Sequence, residues 1–389
     1  MTTPPSQSPD TPPPHDSEQP DDPGEHGCPM LAASGLSRRS ALARLAAVGG
    51  ISAASLGGFL YAGGWFRPDR LTPGRFADRF EHVYGRHPGF RRNHAKGVAA
   101  SGYFDSSAAG ASLSCASVFA PGRRTPVTGR FSLSGGIPPA PDLPSTVRGL
   151  GLLFHLPAGE QWRTAMVNIP VFPDQQPEGF FARLVASAPD PATGKPDPAA
   201  MARFLAAFPE TARAMAHLKA HPPSTGFANS TFHGLNAFVF TNDQGHATAV
   251  RWQFVPHDPS APGPAVHPSD PNYLFTGLIQ RAARGPLRWD LQLIVGEPGD
   301  TTTDATTAWA ASRRVVNAGT LTVDTLQTEA PGNARDINFD PLVLPTGISP
   351  SDDPLLTARS AVYAASYTRR AGEPFAPASV QIPGATHGA

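Results

Sequence analysis

Arg91-Arg92-Asn93-His94-Ala95-Lys96-Gly97, followed shortly by Ser101-Gly102-Tyr103-Phe104, is the stretch on which the reading of this chain turns. A basic segment enters an apolar run punctuated by glycine, the pattern of a turn that feeds a β-strand. His94 has an ordinary pKa near neutrality, which makes it a candidate general acid and base. A lone histidine is more often a hydrogen-bonded structural imidazole, and composition alone would leave it there.

Working outward, Gly74 to Arg86 carries Phe76, Phe80, Val83 and Tyr84 at helical spacing and stops before His87-Pro88. From Gly97 to Phe172 short apolar runs alternate with Gly/Pro turns, which predicts β-strands. Pro198 to Leu218 has Met201, Phe204, Leu205, Phe208, Met215 and Leu218 at helical spacing. Strand-like runs at Ala237–Thr241 and Ala249–Val255 flank Asn242-Asp243-Gln244-Gly245, a good hairpin turn. Asn272 to Ala283 reads as helix, Leu287 to Val295 as strand, and Pro354 to Ala371 as helix. No internal repeat is visible. The fold class is α+β, with antiparallel strands in the middle of the chain.

The chain has 389 residues, 31 basic and 31 acidic, so its formal net charge is zero. No long basic run occurs outside the N-terminal region, which argues against nucleic acid as a partner. An apolar fraction of 40% suffices for a buried core. The two cysteines, Cys28 and Cys115, exclude a cysteine-built zinc site, and a disulfide between them is not expected.

Residues 1–36 are rich in Pro, Ser, Asp and Gln and are expected to be a disordered tail. Residues 37–66 place Arg38-Arg39 ahead of a charge-free run from Leu45 to Phe66, long enough to cross a bilayer. That arrangement resembles a twin-arginine export signal, although Ala41 stands where phenylalanine is common and no clean Ala-x-Ala site follows. The expectation is export across the cytoplasmic membrane, to a periplasmic or membrane-anchored location. Membrane contact would run through residues 45–66 if the segment is not removed. The folded part is expected over 71–385.

A second constellation lies near the end: Arg359-Ser360-Ala361-Val362-Tyr363, then Tyr367 and Arg369-Arg370. On a helix Arg359 and Tyr363 share a face one turn apart, and Arg370 returns to it two turns later. A guanidinium beside a phenol favours the phenolate, a hard anionic ligand suited to ferric iron. An ordinary amphipathic helix with a solvated basic edge has the same pattern.

Together the two segments resemble the two ends of the catalase superfamily core. The resemblance runs through Arg91 to Gly97, then Gly102-Tyr103-Phe104, Thr125-Pro126, Arg130-Phe131-Ser132, Thr146-Val147-Arg148 and Pro170-Val171-Phe172. It continues with Phe339-Asp340-Pro341, Pro345-Thr346-Gly347-Ile348, Ser351-Asp352-Asp353, Arg359 and Tyr363, covering about residues 74–375. Within the superfamily it is most like the catalase-related peroxidases. The resemblance implies an antiparallel β-barrel core with surrounding helices, truncated relative to full catalases, and a b-type haem. It implies that His94 is the distal acid and base, with Ser132 fixing its tautomer. Arg91, Arg130 and Arg370 would pair with the haem propionates. Tyr363 would be the axial iron ligand, with Arg359 holding it as phenolate. His94 would move the peroxide proton from one oxygen to the other while the O–O bond breaks.

Three departures from the family pattern shape the expected activity. Anchoring on Pro170 puts Val167 where catalases carry a distal asparagine, and Asn168 one residue away would point to the other side of a strand. Asn93 replaces an apolar residue beside the histidine and predicts a more polar entrance. Gly149 follows Thr146-Val147-Arg148 where catalases have a channel carboxylate. The chain also ends soon after the tyrosine helix, without a catalase's C-terminal helical region. These features imply reduction of organic hydroperoxides, and weakly of hydrogen peroxide, by an external electron donor. The alternatives are a true catalase that dismutates hydrogen peroxide, a fatty-acid hydroperoxide rearranging enzyme of the same fold, and a haem-binding or sensing protein without turnover. A homodimer is compatible with the sequence. His82, His87, His155, His221, His233 and His246 are read as exposed and without a role.

Overall fold

The structure is a computed structural model that describes residues 71–190, 193–265 and 269–382. The tail at 1–36 and the twin-arginine-like segment at 37–66 lie outside the described residues. Among the described residues no helix is long and apolar enough to cross a membrane.

The fold is α+β and its centre is an antiparallel barrel. The strands are β1 (Gly97–Ser106), β2 (Arg124–Leu133), β3 (Arg148–His155), β4 (Gln161–Val167), β5 (Phe232–His233), β6 (Phe238–Thr241), β7 (Ala247–Pro256), β8 (Leu287–Val295), β9 (Val315–Gln327) and β10 (Ile348–Pro350). Their order is β10-β6-β7-β5-β4-β3-β2-β1-β9-β8, and a further β7–β8 pairing closes the ring. The closed path takes in every strand except β6 and β10, so no barrel edge is left unpaired. β5 and β6 pair with successive parts of one edge of β7. Between them the chain breaks out of the strand, and Leu235 adopts a left-handed backbone with φ 67°.

Alternation along the strands fills the barrel. Phe104, Phe131, Phe154, Trp162, Phe232, Phe254 and Trp289 are all fully buried in one apolar core. Phe154 stacks on Trp162 with ring centres 4.8 Å apart, and Phe131 lies 5.9 Å from Trp289. The intervening residues of the same strands face outward. On β2 to β4 that outer face is built from small and polar side chains.

Six α-helices among the described residues surround the barrel: α1 (Pro73–Tyr84), α2 (Pro177–Ala186), α3 (Pro198–Ala207), α4 (Pro209–Ala220), α5 (Tyr273–Ala282) and α6 (Pro354–Ala371). Helix α6 opens with Asp353 as N-cap, its carboxylate accepting the Leu355 N–H at 2.9 Å, and with Pro354 in the first turn. The segment expected as helix over Pro198–Leu218 is two helices, because Pro209 offers no N–H to continue the first. β9 and α2 were not legible in the sequence. Ion pairs tie α1 to α6 and to the chain leading into β1: Arg92 to Glu81 (2.8 Å) and Glu373 (2.6 Å), and Arg369 to Asp78 (2.6 Å). Arg92 is buried, so this clamp fixes the approach to His94.

Candidate active site

Strand register lays out the site. Gly97, Ser132, Gly149 and Val167 stand side by side across β1 to β4. The next outward row is Ala99, Arg130, Gly151 and Ala165. These rows put mostly small residues, with Arg130 among them, on the outside of the barrel. Helix α6 runs opposite, and the cavity between them has a volume of about 300 Å³. All seven residues singled out from the sequence line it: Arg91, His94, Arg130, Ser132, Arg359, Tyr363 and Arg370.

His94 lies just before β1 with a left-handed backbone, φ 55°, unusual for a residue with a Cβ. Its surroundings hold it there. Its N–H donates to Asn93 Oδ1 (3.0 Å), which also accepts the Gly135 N–H (2.8 Å). Arg130 donates to the His94 carbonyl at 2.8 Å. Such local strain is kept where the surrounding structure over-determines it, commonly at functional sites. Asn93 lines the cavity, but its carbonyl oxygen is committed to this turn, which qualifies the expected polar entrance.

The imidazole Nδ1 meets Ser132 Oγ at 3.1 Å, and the residue lines the cavity. Its edge rests on Gly149, where a Cβ would come within 3.0 Å of Nδ1 and 2.8 Å of Ser132 Oγ. Gly149, read from the sequence as lacking a channel carboxylate, thus also lies against the His94 ring. A side chain at this position would crowd the imidazole, and glycine leaves it room. Burial, with Arg130, Arg91 and Arg359 adding repulsion, pushes the His94 pKa down to about 3. The ring is therefore held neutral at any physiological pH.

Val167 lines the cavity beside Gly149. Asn168 is buried elsewhere: its Oδ1 accepts the Arg148 N–H at 2.7 Å and its Nδ2 donates to Ser230 Oγ at 3.5 Å. No carboxamide therefore stands beside His94 from this strand.

At one end of the cavity arginines gather around Glu329. Arg130 donates to both Glu329 oxygens, at 2.8 and 2.9 Å, and Arg91 to one at 3.4 Å. Arg91 also donates to the carbonyls of Ala334 and Ile337, and Arg370 to that of Arg335. Burial pushes the Glu329 pKa up, but the pull of Arg130, Arg91 and Arg370 overrides it and brings the value down to about 2. Burial, then repulsion from Arg130, lowers Arg370 to about 10, and burial with its arginine neighbours lowers Arg91. Three guanidiniums thus face one carboxylate, and positive charge is in excess. Glu329 was missed from the sequence, where it is a single acid after a strand of unremarkable polarity.

On the opposite wall Arg359, Tyr363 and Tyr367 project from successive turns of α6. The Arg359 guanidinium donates to Asn236 Oδ1 and to the Ala165 carbonyl (2.8 Å), and Asn236 Nδ2 donates to Asp353 Oδ2 (2.7 Å). Neither Arg359 bond goes to Tyr363. Asn236, in the break between β5 and β6, was also missed from the sequence. Of the histidines read as exposed, His87 and His233 are half-buried, and burial lowers the His233 pKa to about 4.

The donor set fits haem. One wall carries an imidazole among small residues, the other carries a phenol, and the excess positive charge at one end suits two propionates. Fold and site together would suit a planar, dianionic cofactor placed against the outside of the β-barrel.

The comparisons agree. The Catalase family profile matches residues 75–387, and the chain belongs to that family, whose members are haem proteins. It is 40% identical over 307 residues to a catalase-related peroxidase of Synechococcus elongatus, covering 78% of this chain and 90% of the relative. It is 32% identical over 305 residues to a catalase-related peroxidase of Mycolicibacterium paratuberculosis, covering 78% and 96%. Identity to the catalase of Rattus norvegicus is 26% over 332 residues, 79% of this chain and 60% of the relative. A bacterial catalase structure superimposes with TM-score 0.64 at 21% identity, covering 78% of this chain and 62% of that one, a likeness of fold. The protein is a peroxidase of the catalase family.

Proposed function

We propose that this peroxidase reduces organic hydroperoxides, and weakly hydrogen peroxide, with electrons from an external donor, using b-type haem. The observation that carries the preference for organic peroxides is the wall beside His94. Val167 and Gly149 stand there, and the carboxamide of Asn168 is turned away to Arg148 and Ser230. Phe76 and Phe80 from α1 and Phe172 and Phe180 line the same cavity, giving an apolar organic group a surface to occupy.

Arg91, Arg130 and Arg370 would hold the propionates, and Tyr363 would ligate the iron. Arg359, fixed by Asn236 and the Ala165 carbonyl, supplies positive charge one turn before the phenol. Haem, when bound, would supply the redox chemistry of O–O cleavage. The neutral His94 Nε2 takes the hydroperoxide proton, and Ser132 Oγ at Nδ1 holds the ring in one orientation as it becomes charged. The imidazolium then returns the proton to the departing oxygen, which leaves as an alcohol. The low pKa of His94 favours that return. The twin-arginine-like segment would carry the enzyme to the outer side of the cytoplasmic membrane.

The test compares two substrates on the haem-loaded protein. Cumene hydroperoxide with a phenolic donor should be turned over, while hydrogen peroxide alone should release little oxygen. Rapid oxygen release without a donor would overturn the proposal in favour of dismutation.

A further inference from the structure

Tyr367 stands one turn beyond Tyr363 on the same face of α6 and lines the cavity, yet it is 39% exposed. It therefore reaches both the haem site and solvent. The Arg370 guanidinium lies 5.4 Å from its ring centre. Arg370 donates to the Arg335 carbonyl, and the Arg335 guanidinium lies 4.7 Å from the centre of the Phe375 ring. Phe375 is itself 56% exposed. Two solvent-facing aromatic rings, each with an arginine over it, thus flank the end of the cavity where the arginines gather. Arg335 is neutralised by Asp336 at 2.6 Å, so the patch suits an uncharged aromatic molecule.

We infer that Tyr367 is the residue through which a phenolic reductant delivers its electrons. The inference rests on the peroxidase reading. Each peroxide leaves the site short of two electrons. Tyr367 supplies one electron and one proton and becomes a neutral phenoxyl radical. The nearby Arg370 cation disfavours a radical cation, so electron and proton leave together. A phenol, ArOH, bound at the patch returns a hydrogen atom to Tyr367 and departs as ArO•. Two such rounds complete ROOH + 2 ArOH → ROH + H2O + 2 ArO•. Because Tyr367 is exposed, a donor too large for the cavity is still served.

The experiment compares the haem-loaded parent with Tyr367→Phe and Tyr367→Trp. One equivalent of cumene hydroperoxide is added without donor, and samples are freeze-quenched for electron paramagnetic resonance. The parent should give a tyrosyl signal that narrows when the protein carries ring-deuterated tyrosine, and Tyr367→Phe should lose it. Phenol turnover in Tyr367→Phe should fall ~10-fold, with single-turnover peroxide cleavage and iodide turnover unchanged. Tyr367→Trp, whose ring is also oxidisable, should restore phenol turnover. A persistent tyrosyl signal or undiminished phenol turnover in Tyr367→Phe overturns the inference. A parent that fails to cleave peroxide overturns the peroxidase reading itself, a distinct result.

Discussion

The inner and outer faces of β2, β3 and β4 are made from alternate residues of the same strands, and they differ in almost every property. Inside, Phe131, Leu150, Leu152 and Trp162 pack into a core from which water is excluded. Outside, Arg130, Ser132, Gly149, Gly151 and Ala165 line the cavity. Side-chain volume maintains the inner face, whereas the outer face depends on its absence, because the His94 ring lies against Gly149. Stability and chemistry are thereby separated by a single step along the chain.

That separation can be broken at either face. Phe131→Ala should cost about 3–5 kcal/mol of stability, read by denaturant unfolding, with the peroxide reaction of the remaining folded protein little changed. An equal loss of reactivity in the folded fraction would show that the two faces are coupled. Gly149→Val should cost only about 1–3 kcal/mol of stability, yet slow the first reaction with peroxide by ~100-fold through displacement of His94. A reaction slowed less than the stability loss implies would contradict the seating role of the glycine. Ser132→Ala removes one hydrogen bond, about 1 kcal/mol, and should slow the peroxide reaction ~5-fold. Stopped-flow mixing would measure it, and an unchanged rate would remove Ser132 from the orientation of the ring.

A further effect is on acid stability. His94 is held neutral in the fold, its pKa lowered from 6.5 to about 3 by burial and then by Arg130, Arg91 and Arg359. In the unfolded chain it takes up a proton near its ordinary value. Its contribution is therefore complete above about pH 6.5 and is lost as the pH falls toward 3. His94→Gln should move the acid-unfolding midpoint to lower pH. An unmoved midpoint would mean that the ring titrates in the fold as it does in water.

Much of this was legible in the sequence where a periodic signal was strong. Leu287–Val295 and Pro354–Ala371 have the expected limits. The ordered motifs from Arg91 to Arg370 bring every proposed site residue to one cavity. What escaped depended on contacts between distant segments. Glu329 matters only because Arg91, Arg130 and Arg370 converge on it, and a single acid has no local pattern. Asn236 sits where β5 breaks from β6, and nothing near it in the chain announces Arg359. Gly149 was read along the chain as lacking a carboxylate, and its closeness to Ser132 on β2 and to His94 before β1 has no local pattern either.

The central claim is that His94 and Tyr363 face each other across a haem and do different work. The direct measurement is the absorption spectrum of the purified protein and of His94→Ala and Tyr363→Phe, before and after adding cumene hydroperoxide. The account predicts that Tyr363→Phe loses haem, while His94→Ala retains it and loses most of the spectral response to peroxide. Haem retained unchanged in Tyr363→Phe, or a His94→Ala protein that responds as fast as the parent, would contradict it.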